Sequence, residues 1–159
     1  MGPGVDLKFD ETLQSLGQIA QKHPKPVVDS IMRWRKSQLE NVGSDIIRFH
    51  MAQSPGLNRT IRPPDVPGLL NERKSLASIY IMCRALIAVL QSLPKDALGE
   101  RMGYTLEKTT FDQFKKPDLK LLLHSANHRT NADLYATLLG HLANLRFVAS
   151  SFILLHFNP

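Results

Sequence analysis

The stretch HSANHRT sets His124 and His128 four residues apart, the spacing at which two imidazoles share a helix face and can ligate a metal, with His141 as a conceivable third donor. The glutamate of a zinc-hydrolase motif is missing from that stretch, and the intervening asparagine favours a turn over a continuous helix. These histidines therefore read as surface or capping residues, and neither a metal nor any other cofactor is expected. Glu100, Glu107 and Asp112 interleave with Arg101, Lys108 and Lys115 at the spacings of exposed helix pairs, which reads as a solvated face more than as an acid–base couple. Cys83 is the only cysteine and sits in SIYIMCRALIAVL, so no internal disulfide forms and a small buried hydrophobe is the expected role. No G-x-S-x-G, Walker or dinucleotide fingerprint occurs, and Gly99-x-x-x-Gly103 alone carries no chemistry. Ser37 and Ser75 lie beside basic residues in a pattern suited to basophilic kinases, and common by chance. The expectation is a protein that is not an enzyme.

Charge narrows the classes further. The chain carries a formal net charge of +6 over 159 residues, with 43% hydrophobic and 21% charged residues, the composition of one globular domain. The excess is spread: about +2 over Pro24–Met51, about +2 over Asn71–Leu93 and about +1 over Pro94–Lys116. Specific nucleic-acid binding needs a dense stripe of cations along the phosphates, which this distribution does not supply. The N-terminus MGPGVDLKFDETLQ has neither an apolar signal region nor a transit pattern, which gives the expectation of a cytoplasmic setting. No uninterrupted apolar run reaches the roughly 18 residues of a membrane span.

The elements follow from period and punctuation. Asp10 is the expected cap of a first helix carrying Leu13, Leu16, Ile19 and Ala20, which Pro24 and Pro26 should end. A second helix opens at Pro26, with Val27, Val28, Ile31 and Trp34 on one stripe and Arg33, Arg35 and Lys36 as a solvated basic flank. The expected place of Trp34 is the core, with a dedicated ligand contact as the alternative. Residues 52–70 hold four prolines and two glycines and read as a loop. Asn71 is the expected cap of the strongest helix, apolar around so much of its circumference that it must be covered on more than one side. Pro94 should start a fourth helix and Pro117 a short fifth, broken over Asn127–Asn131, with a sixth from about Asn131. The fold class is thus all-α, an irregular HEAT- or armadillo-like stack of about six helices, with no strict repeat period. The expected organisation is a flexible terminus over residues 1–8, a helical-repeat domain over 9–149 and an atypical apolar tail over 150–159.

Three stretches in order, FDETLQSLGQIAQKHPKPVVDSIMRWRKSQ, NERKSLASIYIMCRALIAVLQSLP and LYATLLGHLANLRFVA, resemble the N-terminal region of the Furry-like cell morphogenesis proteins, most closely the fungal members. The resemblance covers Phe9–Ala149. It implies a non-catalytic scaffold of HEAT/armadillo type that works with NDR-family kinases and Mob coactivators in polarised growth, in the cytoplasm, at the cell cortex or at growth sites. SSFILLHFNP, after Ala149, departs from the continuation the family leads one to expect. For an acidic protein surface the first candidate contact is Arg33, Arg35 and Lys36. The alternative reading is a peripheral membrane or acidic-lipid binder using that basic flank and the apolar tail.

Overall fold

The computed structural model of the chain describes residues 6–52, 66–113, 115 and 117–145, which form six α-helices with no strand among the described residues. Helix α1 (Leu7–Lys22) begins earlier than Asp10 would place it, because Asp6 Oδ1 accepts the orphan N–H groups of Lys8 and Phe9 at 3.1 and 3.2 Å. Asp10 is instead drawn across to α3, where it accepts from Arg84 Nη2 at 2.8 Å. The His23 N–H closes α1 on the Ile19 carbonyl at 3.0 Å, and α2 (Pro24–Ala52) follows at once. Prolines in its first turn cost nothing, since no N–H is needed there.

Helix α3 (Val66–Gln91) starts five residues before the expected cap, so Val66–Leu70 of the expected loop are helical. Pro67 falls in its first turn, which the proline ring tolerates. Asn71 lies within the helix and is buried. The remainder of that loop (53–65), the apolar tail (150–159), Phe114 and residues 1–5 lie outside the described residues.

Pro94 does not open α4 directly. Asp96 adopts a φ of +63°, which a right-handed helix cannot contain, so turns run to Leu98, and α4 (Gly99–Asp112) opens on Gly99, whose φ of +72° a glycine adopts without penalty. Helix α5 (Leu119–His124) is capped by Asp118, whose Oδ1 accepts from Lys120 and Leu121 at 3.0 and 3.2 Å. The break after it falls at Ser125 and not over Asn127–Asn131, because α6 (Ala126–Leu145) is helical through both asparagines. Asn131 is buried there and donates through Nδ2 to the Leu76 carbonyl of α3 at 3.0 Å, a tertiary bond that overrides its turn preference.

Helix α3 is the centre of the bundle. It packs against α1, α2 and α6, while α4 and α5 pack on α6. Met82, Cys83, Leu86, Val89 and Leu90 are buried along one broad face in a common core with Val28, Leu106, Leu138 and Leu142. Each large aliphatic side chain so buried stabilises the fold by about 1.5–3 kcal/mol relative to exposure. An 18-residue window within Gly68–Gln91 has mean hydropathy 1.3, so by length and composition the helix is apolar enough to cross a membrane. Counting uninterrupted runs missed this, because Arg73, Lys74 and Arg84 divide the segment; here three neighbouring helices cover it.

The α1–α3 contact is close because Gly17 is buried in it. A Cβ on Gly17 would run into Ser92 Oγ and stand 3.2 Å from the Ala88 carbonyl oxygen, which belongs to α3's own backbone and cannot retreat. Gly140, by contrast, has nothing within 4 Å of its missing Cβ. Gly17→Val should therefore lower stability by about 2 kcal/mol. Gly140→Ala should raise it by roughly 0.5–1 kcal/mol through helix propensity. Urea denaturation of the two variants checks both signs.

Candidate interaction surface

At about 100° per residue, two stripes on α2 compete for the core: Val27, Ile31 and Trp34, or Val28, Ile31 and Arg35. The structure takes the second. Val28 is 1% exposed, whereas Trp34 is 37% exposed, so the tryptophan is no core residue. Arg35 turns inward toward Cys83 of α3 and Tyr135 of α6, and its Nη1 is buried with no hydrogen-bond partner. Arg33 and Lys36 remain on the solvent side, Arg33 held by Asp29 at 2.8 Å one turn back. The three cations expected to form one flank therefore divide between solvent and interior.

The interior cluster has its own electrostatics. Burial pulls the Arg35 pKa below its ordinary value, against the opposite influence of Tyr135 and Cys83. Burial pushes the Cys83 thiol up to about 12, with Arg35 acting the other way. It does the same to Tyr135, also to about 12, with Cys83 adding to the rise and Arg35 opposing it. Cys83, wholly buried and protonated, is a packing residue, since only a thiolate is a competent nucleophile.

Between α1 and α2, over the exposed side of α3, lies an apolar groove of about 490 Å³. Leu16 and Ile19 form one wall, Val27 and Trp34 the other, and Ile81 and Met82 the floor. Ile19 is 53% and Ile81 38% exposed. The sequence reading missed this surface because it assigned Trp34 to the core; the signal was the second stripe through Val28 and Arg35. At the closed end of α1 and α3, Arg84 donates to Asp10 and, at 2.6 Å, to Tyr80 Oη, and its guanidinium stacks 5.5 Å from the rings of Phe9 and Tyr80.

The histidines do not converge. His124 ends α5, His128 lies in the first turn of α6 and His141 reaches Gln91 at 3.4 Å. Ser125 Oγ sits 2.8 Å from His128 Nδ1 and accepts the His128 N–H at 3.4 Å, while Nε2 stands 3.8 Å from Glu72. A serine, a histidine and a glutamate thus meet, but the hydroxyl is occupied in capping α6. Among the described residues no group of three His, Cys, Asp or Glu side chains could hold a metal. Of the carboxylates expected on a solvated face, Asp112 pairs with Lys115 at 2.6 Å, while Glu107 is buried. Glu107 lies one residue from Leu106 on the inner side of α4, beside Thr110, and that face packs on α6. Ser37 and Ser75 are both half-buried within helices, and Ser37 Oγ donates to the Trp34 carbonyl at 2.7 Å.

A family model described as Cell morphogenesis N-terminal matches residues 72–153. The cell polarity protein mor2 of Schizosaccharomyces pombe is 29% identical over 148 residues, covering 93% of this chain and 6% of that protein. The cell morphogenesis protein PAG1 of Saccharomyces cerevisiae is 25% identical over 229 aligned positions, covering 95% of this chain and 10% of that protein. The chain thus spans a tenth or less of the length of these relatives. No solved structure matches the chain.

The inward charge and the two buried acids generate two predictions. Arg35→Met should keep or raise stability by about 1 kcal/mol, since the apolar stem still packs and a half-buried guanidinium with an unpartnered Nη1 is removed; Arg35→Glu should lower it, with urea midpoints as the readout. In the unfolded chain Cys83 and Tyr135 ionise near about 8.5 and 10, but in the folded chain both do so only near about 12. Between these limits the unfolded state binds fewer protons, so stability falls as pH rises above about 8.5. In a series of urea melts from neutral to alkaline pH, Cys83→Ala should abolish the early part of that fall.

Proposed function

The chain belongs to the Cell morphogenesis N-terminal family, the N-terminal region of the Furry-like proteins, and on that premise we propose that it is a non-catalytic scaffold module acting in cell morphogenesis and polarised growth. The observation that carries this reading is the extent of the similarity: two fungal proteins named for cell polarity and cell morphogenesis each match more than nine-tenths of the chain. The six helices fit one segment of a longer HEAT- or armadillo-type array, in which each helix pair finds further cover from its neighbours. In this reading the module presents helix faces to an NDR-type kinase and its Mob coactivator, in the cytoplasm and at the cell cortex. Arg33 and Lys36, on the outer face of α2, are the cations placed to meet an acidic partner.

Because Arg35 contributes to the interior, the informative variant reverses only the outer pair. Arg33→Glu/Lys36→Glu should reduce capture of purified NDR-type kinase–Mob complex by the immobilised chain about tenfold, with an unchanged melting temperature. Equal capture by variant and wild type would remove that face from the reading. No capture by the wild type would remove the kinase association itself.

A further inference from the structure

We propose that the cleft between α2 and α4 is the seat of the chain's own apolar tail, residues 150–159. The inference goes beyond the scaffold reading and does not rest on it.

The cleft exists because α2 packs on α1 and α3 while α4 packs on α6, and α2 and α4 do not pack closely on one another. It measures about 520 Å³. Val28 and Met32 line it from α2, Met102 and Leu106 from α4, and Leu98 from the turn before α4. Each helix contributes a pair four residues apart, so each wall is a single helical stripe. Val28, Leu98 and Leu106 are buried at its base, and Met32 and Met102 are half-buried against the same core. The rim carries Lys25 and Arg101 together with Asp29 and Glu100. Two charges of each sign give the cleft no preference for a basic or an acidic occupant.

Where α6 ends decides which occupant that is. Leu142 and Leu145, in its last turn, border a small cavity of about 30 Å³ together with Leu98, Gly99 and Glu100. Those three residues also line the cleft, so the chain leaves α6 at the edge of it. The groove between α1 and α2 shares no lining residue with either cavity. Fourteen residues follow Leu145. Even wound fully into a helix, at about 1.5 Å per residue, they reach roughly 21 Å, about two helix widths. Their composition suits the destination. Phe152, Ile153, Leu154, Leu155 and Phe157 crowd into six positions, and beyond Arg146 the segment holds no Asp, Glu, Lys or Arg. The hydrophobic effect drives such a segment out of water toward the nearest apolar concavity, and a segment without formal charge matches a rim whose charges balance.

Methionines in the cleft supply the test. The full chain is prepared with labelled methionine methyls and protonated phenylalanine rings in a deuterated background. Met32 and Met102 should show nuclear Overhauser contacts to phenylalanine rings that Phe152→Leu/Phe157→Leu removes, with both methyl signals shifted and that of Met82, which lines the α1–α2 groove, unmoved. Thr105→Glu sets a charge at the exposed rim of the cleft and should speed chymotryptic cleavage after Phe152 roughly tenfold, with unchanged helicity. The proposal is overturned if Met32 and Met102 give the same signals in the wild type and the tail variant, or if Thr105→Glu leaves the cleavage rate as it was. It is also overturned if the contacts arise only between methyl-labelled and ring-protonated chains mixed in one sample, which would make the occupant the tail of a second copy. Contacts of the tail with vesicles of phosphatidylcholine and phosphatidylserine, and none with Met32 or Met102, would overturn it in favour of a membrane surface.

Discussion

A helix that is apolar around most of its circumference cannot stand in water, and every other element here is arranged by that constraint on α3. Its buried residues from Met82 to Leu90 require cover from several directions. Helices α1 and α2 provide it from one side as an antiparallel pair, and α6 provides it from another, with α4 and α5 carried on α6. The close approach at Gly17 and the Asn131 bond to the Leu76 carbonyl set how α1 and α6 sit on it. Covering α3 also leaves a remainder. The groove between α1 and α2 leaves Ile81 partly open, and Ile19 and Trp34 with it.

Polar groups of the described residues serve mostly to end helices and to join them. Asp6, Asp118 and Ser125 cap α1, α5 and α6, and Arg129 Nη1 closes the end of α5 by donating to the Leu122 and Leu123 carbonyls at 3.0 and 2.9 Å. Arg84 ties α3 to α1 through Asp10, Phe9 and Tyr80. Its pair with Asp10 is partly exposed and contributes at most about 1 kcal/mol, so its value is in fixing the angle between two helices that apolar contact alone would leave free to slide. Arg35 is the exception. Its guanidinium is carried into the interior by the geometry of α2, at an electrostatic cost that no visible partner of Nη1 offsets.

Most of the helical content was legible in the sequence, because the three-and-four period of α1, α3 and α6 and the prolines at 24, 94 and 117 are local signals. Two of the errors share one cause, a residue whose local role was overruled by a distant partner. Asp10 reads as a cap until Arg84, 74 residues away, claims its carboxylate. Asn131 reads as a breaker until Leu76 accepts its amide. Trp34 and Arg35 occupy adjacent stripes that period alone cannot rank, and the hydrophobic preference chose the wrong one. The interaction surface was correspondingly less legible than the fold, since the groove exists only through that choice. The family was legible as well, though from the resemblance of whole stretches and not from any motif with chemistry in it.

Hydrogen exchange of the full chain in dilute aqueous buffer tests the organisation around α3 most directly. Amides of Met82–Leu90 should be the last to exchange, together with those of Tyr135–Leu142, as one cooperative unit, and the short, exposed α5 should exchange far faster. If the amides of α3 exchanged as quickly as those of α5, the helix would not be the covered centre of the bundle, and the groove defined by its partial covering would lose its basis.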